Sequence, residues 1–341
     1  RDWERYNDYM ASLGGEGAAS DMQSKWMLLK NPPDHTRLRK LVTKAFTPRV
    51  VEGMRPHIQT IVDDLLDQVQ AKGRFDIIGD LAFPLPVIVI AELIGVPVED
   101  RDQFKEWTGA LARSLDPVVT QEIIAAANNA TDSFVDYFTG LVAKRRAQPQ
   151  EDMLSALIAV EEEGDRLNQD ELIATIVLLF GAGHETTMNL IGNGMLALFR
   201  NPDQLAKLKA EPTLIQTAVE EFLRYDGSVQ ITVRVALEDI EIGGKLIHKN
   251  QQSLILLGAA NHDPAQFANP DQLDITRQDN PHITFGHGIH HCLGAPLARV
   301  EAQIAVNTLL RRMPDLKQET EHVEWREMIT LRGLRALPVR C

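Results

Sequence analysis

This chain of 341 residues holds only two cysteines, Cys292 and Cys341, which excludes a disulfide framework as the source of its stability. Two thiols without an internal pairing fit the reducing cytoplasm. Long apolar runs are missing too. The strongest, Pro84 to Val98, is interrupted by Pro86, Glu92 and Pro97, whereas a membrane-spanning helix needs about 20 mostly apolar residues. Basic charge is in deficit: 35 Lys and Arg against 48 Asp and Glu leave a net charge of −13, which argues against nucleic acid as a general partner. No repeat, low-complexity tract or glycine-rich flavin or nucleotide fingerprint occurs. What remains, 44% hydrophobic and 24% charged residues, is the composition of a soluble globular protein. The sequence starts at Arg1 without a methionine, so a targeting segment cannot be read from it.

The most informative stretch is Phe285-Gly286-His287-Gly288-Ile289-His290-His291-Cys292-Leu293-Gly294. It sets one cysteine on a glycine-rich, histidine-flanked loop that leads into a helix predicted over Leu293 to Met313. A helix N-terminus favours the thiolate through unpaired N–H groups and the dipole. The glycines remove side chains where backbone must approach a flat object or adopt positive φ. Taken alone, the loop also admits a buried inert cysteine, or zinc held by His287, His290 or His291 with Cys292. The zinc reading lacks the separated second ligand pair of tetrahedral sites.

A long helix is predicted from Asn168 to about Arg200, opened by Asn168 with Glu171 as a capping pair and followed by Pro202. Its run Leu172 to Phe180 is apolar on every face, as in a buried helix. Gly181, Gly183 and the pair Thr186-Thr187 then interrupt good helix chemistry; two interior glycines cost about 2 kcal/mol relative to alanine. This predicts an opening or kink near Ala182-Gly183-His184-Glu185-Thr186-Thr187, or else a helix packing site built from small residues. Glu221 and Arg224 stand three apart on one face of a further helix. Asp34-His35-Thr36-Arg37-Leu38-Arg39 opens another after Pro32-Pro33.

Together these motifs resemble the cytochrome P450 family of haem-thiolate monooxygenases, in particular its bacterial soluble members, over roughly residues 30 to 341. The resemblance implies haem b as cofactor with Cys292 as the iron ligand, and Phe285, Gly286 and Gly294 shaping the loop around it. It implies that His35, Arg39, Arg234 and His290 contact the haem propionates, since buried carboxylates need cationic, hydrogen-bonding neighbours. Ala182 would border the haem and the substrate. Glu185 and Thr186 would form the catalytic pair, Glu185 relaying protons and Thr186 hydrogen-bonding to bound oxygen and a water. Glu221, Arg224 and Arg277 would be a buried structural lock. Leu178, Ala182, Gln230, Thr232 and Ile329 would line a largely neutral substrate pocket.

The implied activity is insertion of one oxygen atom from O2 into an unactivated C–H bond of an apolar small molecule: a terpenoid, steroid, fatty acid or polyketide. The electrons would come from NAD(P)H through separate partners of ferredoxin and ferredoxin reductase type. A basic cluster, Arg37, Arg39, Lys40, Lys44 and Arg49, offers a surface for such a donor or is a solvated helix face. Other readings are a peroxide-driven peroxygenase and a haem-bearing binding module without turnover.

The expected architecture is a single cytoplasmic domain over 1–341, because motifs scattered from Asp34 to Gly294 must meet at one cofactor. It is mainly α with a small accessory β-sheet. Helices are predicted at 36–46, 49–71, 78–94, 99–115, 120–146, 152–162, 168–200, 203–225 and 293–312. Strands are predicted at 74–78, 231–236, the Gly243-Gly244 hairpin and 253–257, with strand-like alternation over 325–339. Family members normally carry several tens of residues more at the N-terminus, and 1–30 matches only loosely. Residues 14–20 read as a flexible loop.

Overall fold

The computed structural model describes residues 17–100, 103–160 and 165–341. Two compact units emerge, one drawn from 1–47, 90–182 and 232–255, the other from 48–89, 183–231 and 256–341.

In the first unit the 27-residue helix Gln121–Ala147 is the scaffold, starting at Thr120, whose side chain accepts from the Ile123 N–H. Helices Ala18–Ser24 and Gln103–Arg113 pack along it. Aromatic residues are only 6% of the chain, yet Phe104, Trp107, Phe134, Tyr137, Phe138 and Phe180 gather into one cluster with Phe104 at its centre. Such large side chains dominate core burial. Asp34–Ala45 lies against Met153–Ala159. A small antiparallel ribbon, β3 (Ile240–Ile242) with β4 (Lys245–Ile247), turns on Gly243 and Gly244, both at positive φ, and β2 (Ile231–Val235) pairs with β5 (Gln252–Leu256).

In the second unit, helix Ala295–Arg312 packs against Arg55–Gln70 and Ile215–Asp226, burying Leu297, Val300, Ala305 and Leu309. A three-stranded sheet orders β1 (Arg74–Asp76), β7 (Pro338–Arg340) and β6 (Lys317–Gln318), with Phe75 opposite Val339.

The mainly helical architecture with small sheets agrees with the sequence reading. Several boundaries differ for local reasons. Residues 49–71 form two helices, Pro48–Gly53 and Arg55–Gln70, because Pro56 cannot donate to the carbonyl four residues earlier. Pro212 divides 203–225 in the same way, into Pro202–Ala210, a short turn and Ile215–Asp226. The loop expected at 14–20 is helical from Ala18; its first three residues lie outside the described ones, as do 161 and 162 of the helix expected over 152–162. The tail 325–339 is mostly not strand; it makes isolated bridges, Trp325 to Leu334 and Val229 to Leu331. Among the described residues no helix is long and apolar enough to cross a membrane.

The central helix Gln169–Arg200 carries a reciprocal cap: the Glu171 N–H donates to Asn168 Oδ1 at 2.9 Å and the Asn168 N–H to Glu171 Oε2 at 3.0 Å. It is helical throughout, Gly181 to Thr187 included. Its later glycines serve packing: a Cβ on Gly192 would meet Ile78 Cδ1 at 2.4 Å, and one on Gly194 would meet the Phe222 ring at 2.6 Å.

Candidate functional site

The cysteine loop belongs to the second unit. Gly286 and Gly288 sit at φ 73° and 75°, a region in which only glycine is unstrained. A Cβ on Gly288 would meet nothing within 4 Å, so backbone conformation and not crowding demands glycine there. The loop is closed by Cys292 N–H donating to the Phe285 carbonyl at 2.9 Å, and by Gly286 N–H donating to Ile283 O at 2.8 Å. Gly294 caps helix Ala295–Arg312, which starts two residues later than the spacing predicted. The Cys292 thiol is exposed and, like Cys341, not disulfide-bonded. Phe285 lies under the guanidinium of Arg299, 4.6 Å from ring centroid to Cζ. Arg299 is held in turn by Glu220 at 2.6 and 2.8 Å, and Glu220 also accepts from His282 at 3.0 Å. Glu220 and Arg299 carry no motif, and sequence reasoning missed both.

Among the described residues no three His, Cys, Asp or Glu side chains converge as a metal cluster. The zinc alternative requires such a set and is not met. A haem needs one protein donor, because the porphyrin supplies four. An exposed thiol on a glycine-bounded loop ahead of a helix fits that requirement.

Glu185 and Thr186 lie on the central helix in the same unit. Glu185 is buried, at 3% exposure, and Arg326 Nη1 donates to its Oε1 at 2.8 Å. Thr186 is half-buried beside it, while Thr187 is buried and donates back to the Gly183 carbonyl at 3.1 Å. His184 packs edge-on to Phe83 at 4.7 Å. In the other unit Leu178 is buried, but Ala182 on the same helix is exposed and a Cβ on Gly181 would meet open space. The helix thus keeps one bare flank at the position the motif singles out.

Glu221, Arg224 and Arg277 come together. Glu221 and Arg224 are wholly buried and joined by two hydrogen bonds of 2.8 Å, and Arg277 Nε reaches Glu221 at 3.1 Å. Glu221 also accepts from the Asp274 N–H and from Asn280. Arg224 donates to the carbonyls of Asn261, Pro270 and Gln272. Eight bonds satisfy this pair, and they fix the chain that leads toward the cysteine loop.

Gln230 and Ile329 both line a cavity of about 350 Å³ in the second unit, with Trp325, Arg326, Met328 and Arg332 among the other walls. Asp226 beside it accepts from Arg332 at 2.7 Å. Burial still raises the Asp226 pKa above the usual carboxylate range, against the pull of Arg332. His35, Arg39, Arg234 and Thr232 fall in the first unit. His35 is buried and Arg39 half-buried on helix Asp34–Ala45. Arg234 donates to Thr232 Oγ1 and to Val233 O of its own strand. In the second unit His290 is half-buried in the turn Gly288–His290. Of the basic cluster, Arg37 is engaged by Glu171 and Asp165, while Lys40, Lys44 and Arg49 are exposed.

The sequence model of the family described as cytochrome P450 matches residues 7–327. A biotin biosynthesis cytochrome P450 of Bacillus subtilis (strain 168) is 49% identical over 320 residues, covering 94% of this chain and 81% of that protein. The crystal structure of P450BioI in complex with hexadec-9Z-enoic acid ligated acyl carrier protein superposes with a TM-score of 0.91 at 49% identity, over 95% of this chain and 83% of that one. The bacillaene polyketide synthase cytochrome P450 PksS of Bacillus subtilis 168 gives a TM-score of 0.90 at 43% identity, over 98% and 88%. The matching family model, the relatives and the fold lead to one conclusion: the chain belongs to the cytochrome P450 family, monooxygenases that use haem b.

Proposed function

We propose that this monooxygenase inserts one oxygen atom of O2 into an unactivated C–H bond of an apolar small molecule, with electrons passed from NAD(P)H through separate ferredoxin and ferredoxin reductase type donors. The observation that carries the reading is the exposed, unbridged Cys292 thiol on its glycine-bounded loop. Haem b, when bound, supplies the iron chemistry by which dioxygen is reduced and cleaved, and a thiolate ligand favours O–O cleavage.

The chain's own residues divide the remaining work. Cys292 donates the sulfur, and Phe285, Gly286 and Gly294 hold its loop open to a planar partner. Glu185 holds and passes on a proton, while the Thr186 hydroxyl orients its delivery. His35, Arg39, Arg234 and His290 neutralise the propionates. Leu178, Ala182, Gln230, Thr232 and Ile329 contact substrate. Among terpenoids, steroids, fatty acids and polyketides, an acyl or polyketide chain is favoured, because similar proteins include a biotin biosynthesis P450, a polyketide biosynthesis P450 and a P450 bound to an acylated carrier protein. Exposed Lys40 and Lys44 on helix Asp34–Ala45 offer the donor surface. A cytoplasmic location follows from dependence on NAD(P)H.

The absorption spectrum of the reduced, carbon monoxide-bound protein tests the assignment. The main band is expected far to the red, and lost in Cys292→Ser. A histidine-like spectrum, or a Cys292→Ser protein with unaltered optical features, overturns it. Thr186→Ala is expected to uncouple NAD(P)H consumption from product; a peroxygenase or a binding module would be indifferent to that change.

A further inference from the structure

Among the described residues that line the cavity of about 350 Å³, two are arginines, Arg326 and Arg332, and none is acidic. Ile231, Leu256, Met328 and Ile329 give it apolar walls, and its size falls in the range of small-molecule sites, from about 300 Å³ upward. The two cations are held differently. Arg326 is engaged at all three nitrogens, by Glu185, Leu334 and Met188. Arg332 gives only Nε, to Asp226 Oδ1 at 2.7 Å, and among the described residues its Nη1 and Nη2 meet no acceptor. Its side chain is 40% exposed.

The fold presets that free edge. Arg332 N–H donates to the Ser228 carbonyl at 2.7 Å, and the Arg332 carbonyl accepts from Asn193 Nδ2 at 3.1 Å. Gly333, next along, lies so close to the central helix that a Cβ would fall 1.9 Å from Asn189 Oδ1. The bridge between Trp325 and Leu334 brings the indole beneath Arg332, whose Cζ stands 3.5 Å from the ring centroid. With one face on Trp325 and Nε on Asp226, the guanidinium has lost most of its rotational freedom before any ligand arrives. What remains is the Nη1–Nη2 edge, a fork of donors that matches the two oxygens of a carboxylate.

We propose that Arg332 is the specificity-determining residue for an acyl substrate with a free terminal carboxylate: Nη1 and Nη2 bind the two carboxylate oxygens while the apolar walls take the chain. The proposal rests on reading this cavity as part of the substrate site, through Gln230 and Ile329. An ester or alcohol of the same chain offers an oxygen acceptor but no charge, so it loses the charge-assisted part of the contact. A carboxylate that leaves water needs such a partner, and the absence of acidic side chains from the cavity walls spares it repulsion there.

The test is equilibrium binding of dodecanoic acid and of methyl dodecanoate to the haem-loaded protein, read both by calorimetry and by the iron spin-state shift. Wild type is expected to prefer the acid by about 10-fold or more. R332Q should abolish that preference by weakening the acid alone, and R332K should keep a substantial part of it. Equal affinity for acid and ester in wild type overturns the proposal. So does an R332Q protein that keeps the preference, or one that binds both compounds less well by the same factor, as a purely structural arginine would. If R332Q fails to fold, D226N/R332Q removes the stranded carboxylate as well; a double variant that still prefers the acid overturns the proposal. The underlying reading fails separately. Acid binding that calorimetry detects and R332Q abolishes, without a spin-state shift, keeps the carboxylate site and removes the cavity from the substrate position. Spin-state shifts alike for acid and ester, and untouched by R332Q, keep the acyl substrate and remove Arg332. No binding of the acid by either measure overturns both.

Discussion

Arg299 covers the ring of Phe285, its Cζ 4.6 Å from the centroid, while giving both Nε and Nη2 to Glu220. A cation over an aromatic face is worth about 0.5–2 kcal/mol, and here it ties the first residue of the cysteine loop to helix Ile215–Asp226. Burial would push the Glu220 carboxyl up, but the hydrogen bonds and charges of Arg299 and His282 hold it at about 2. A depressed folded pKa adds stability above the unfolded value of about 4.3, lost as pH falls from there toward 2. Glu220→Gln is therefore expected to flatten the acid side of the unfolding profile over that window, measured by denaturant titration at successive pH values. An unchanged acid limb contradicts the linkage.

Glu301 behaves in the opposite sense. It is fully buried on helix Ala295–Arg312, Oε2 has no hydrogen-bond partner, and desolvation raises its pKa well above the usual range. Its native state stays protonated after the unfolded chain has ionised, so stability is complete below about 4.3 and declines as pH rises, by about 1.4 kcal/mol per unit until the folded pKa is reached. Glu301→Gln is neutral in both states. Its Tm relative to wild type should rise as the pH is raised above about 4.3; a constant difference refutes this.

Breaking the buried Glu221–Arg224 pair leaves an uncompensated charge and several orphaned donors. Glu221→Ala should cost about 3–5 kcal/mol in chemical unfolding, whereas an exposed pair is worth about 0–1. Half-buried Arg55 with exposed Glu52 serves as the comparison.

Three glycines on one helix should separate propensity from packing. Gly181→Ala meets open space and should stabilise by up to about 1 kcal/mol. Gly194→Ala would press on the rigid Phe222 ring and should destabilise by about 1–3 kcal/mol. Gly192→Ala meets only the end of Ile78, so it should fall between them. Thermal unfolding ranks them, and a different order would show that the crowding is relieved by backbone movement.

Local chemistry made much of this protein legible in one dimension. The Asn168–Glu171 cap, the helix spans and the Gly243-Gly244 hairpin follow from short-range hydrogen bonding and periodicity, and the cysteine loop follows from glycines whose positive φ is a local demand. The errors were single prolines given too little weight, as at Pro56 and Pro212. Contacts between distant positions were invisible. Arg326 is 141 residues from Glu185, Arg299 is 79 from Glu220, and neither distance leaves a pattern in the chain. The sequence by itself determined the helical class, the caps and turns, and the glycine-rich setting of Cys292 ahead of a helix. Which cation answers each buried carboxylate was decided only by the tertiary structure, since desolvation and counter-charge depend on neighbours that folding alone brings together.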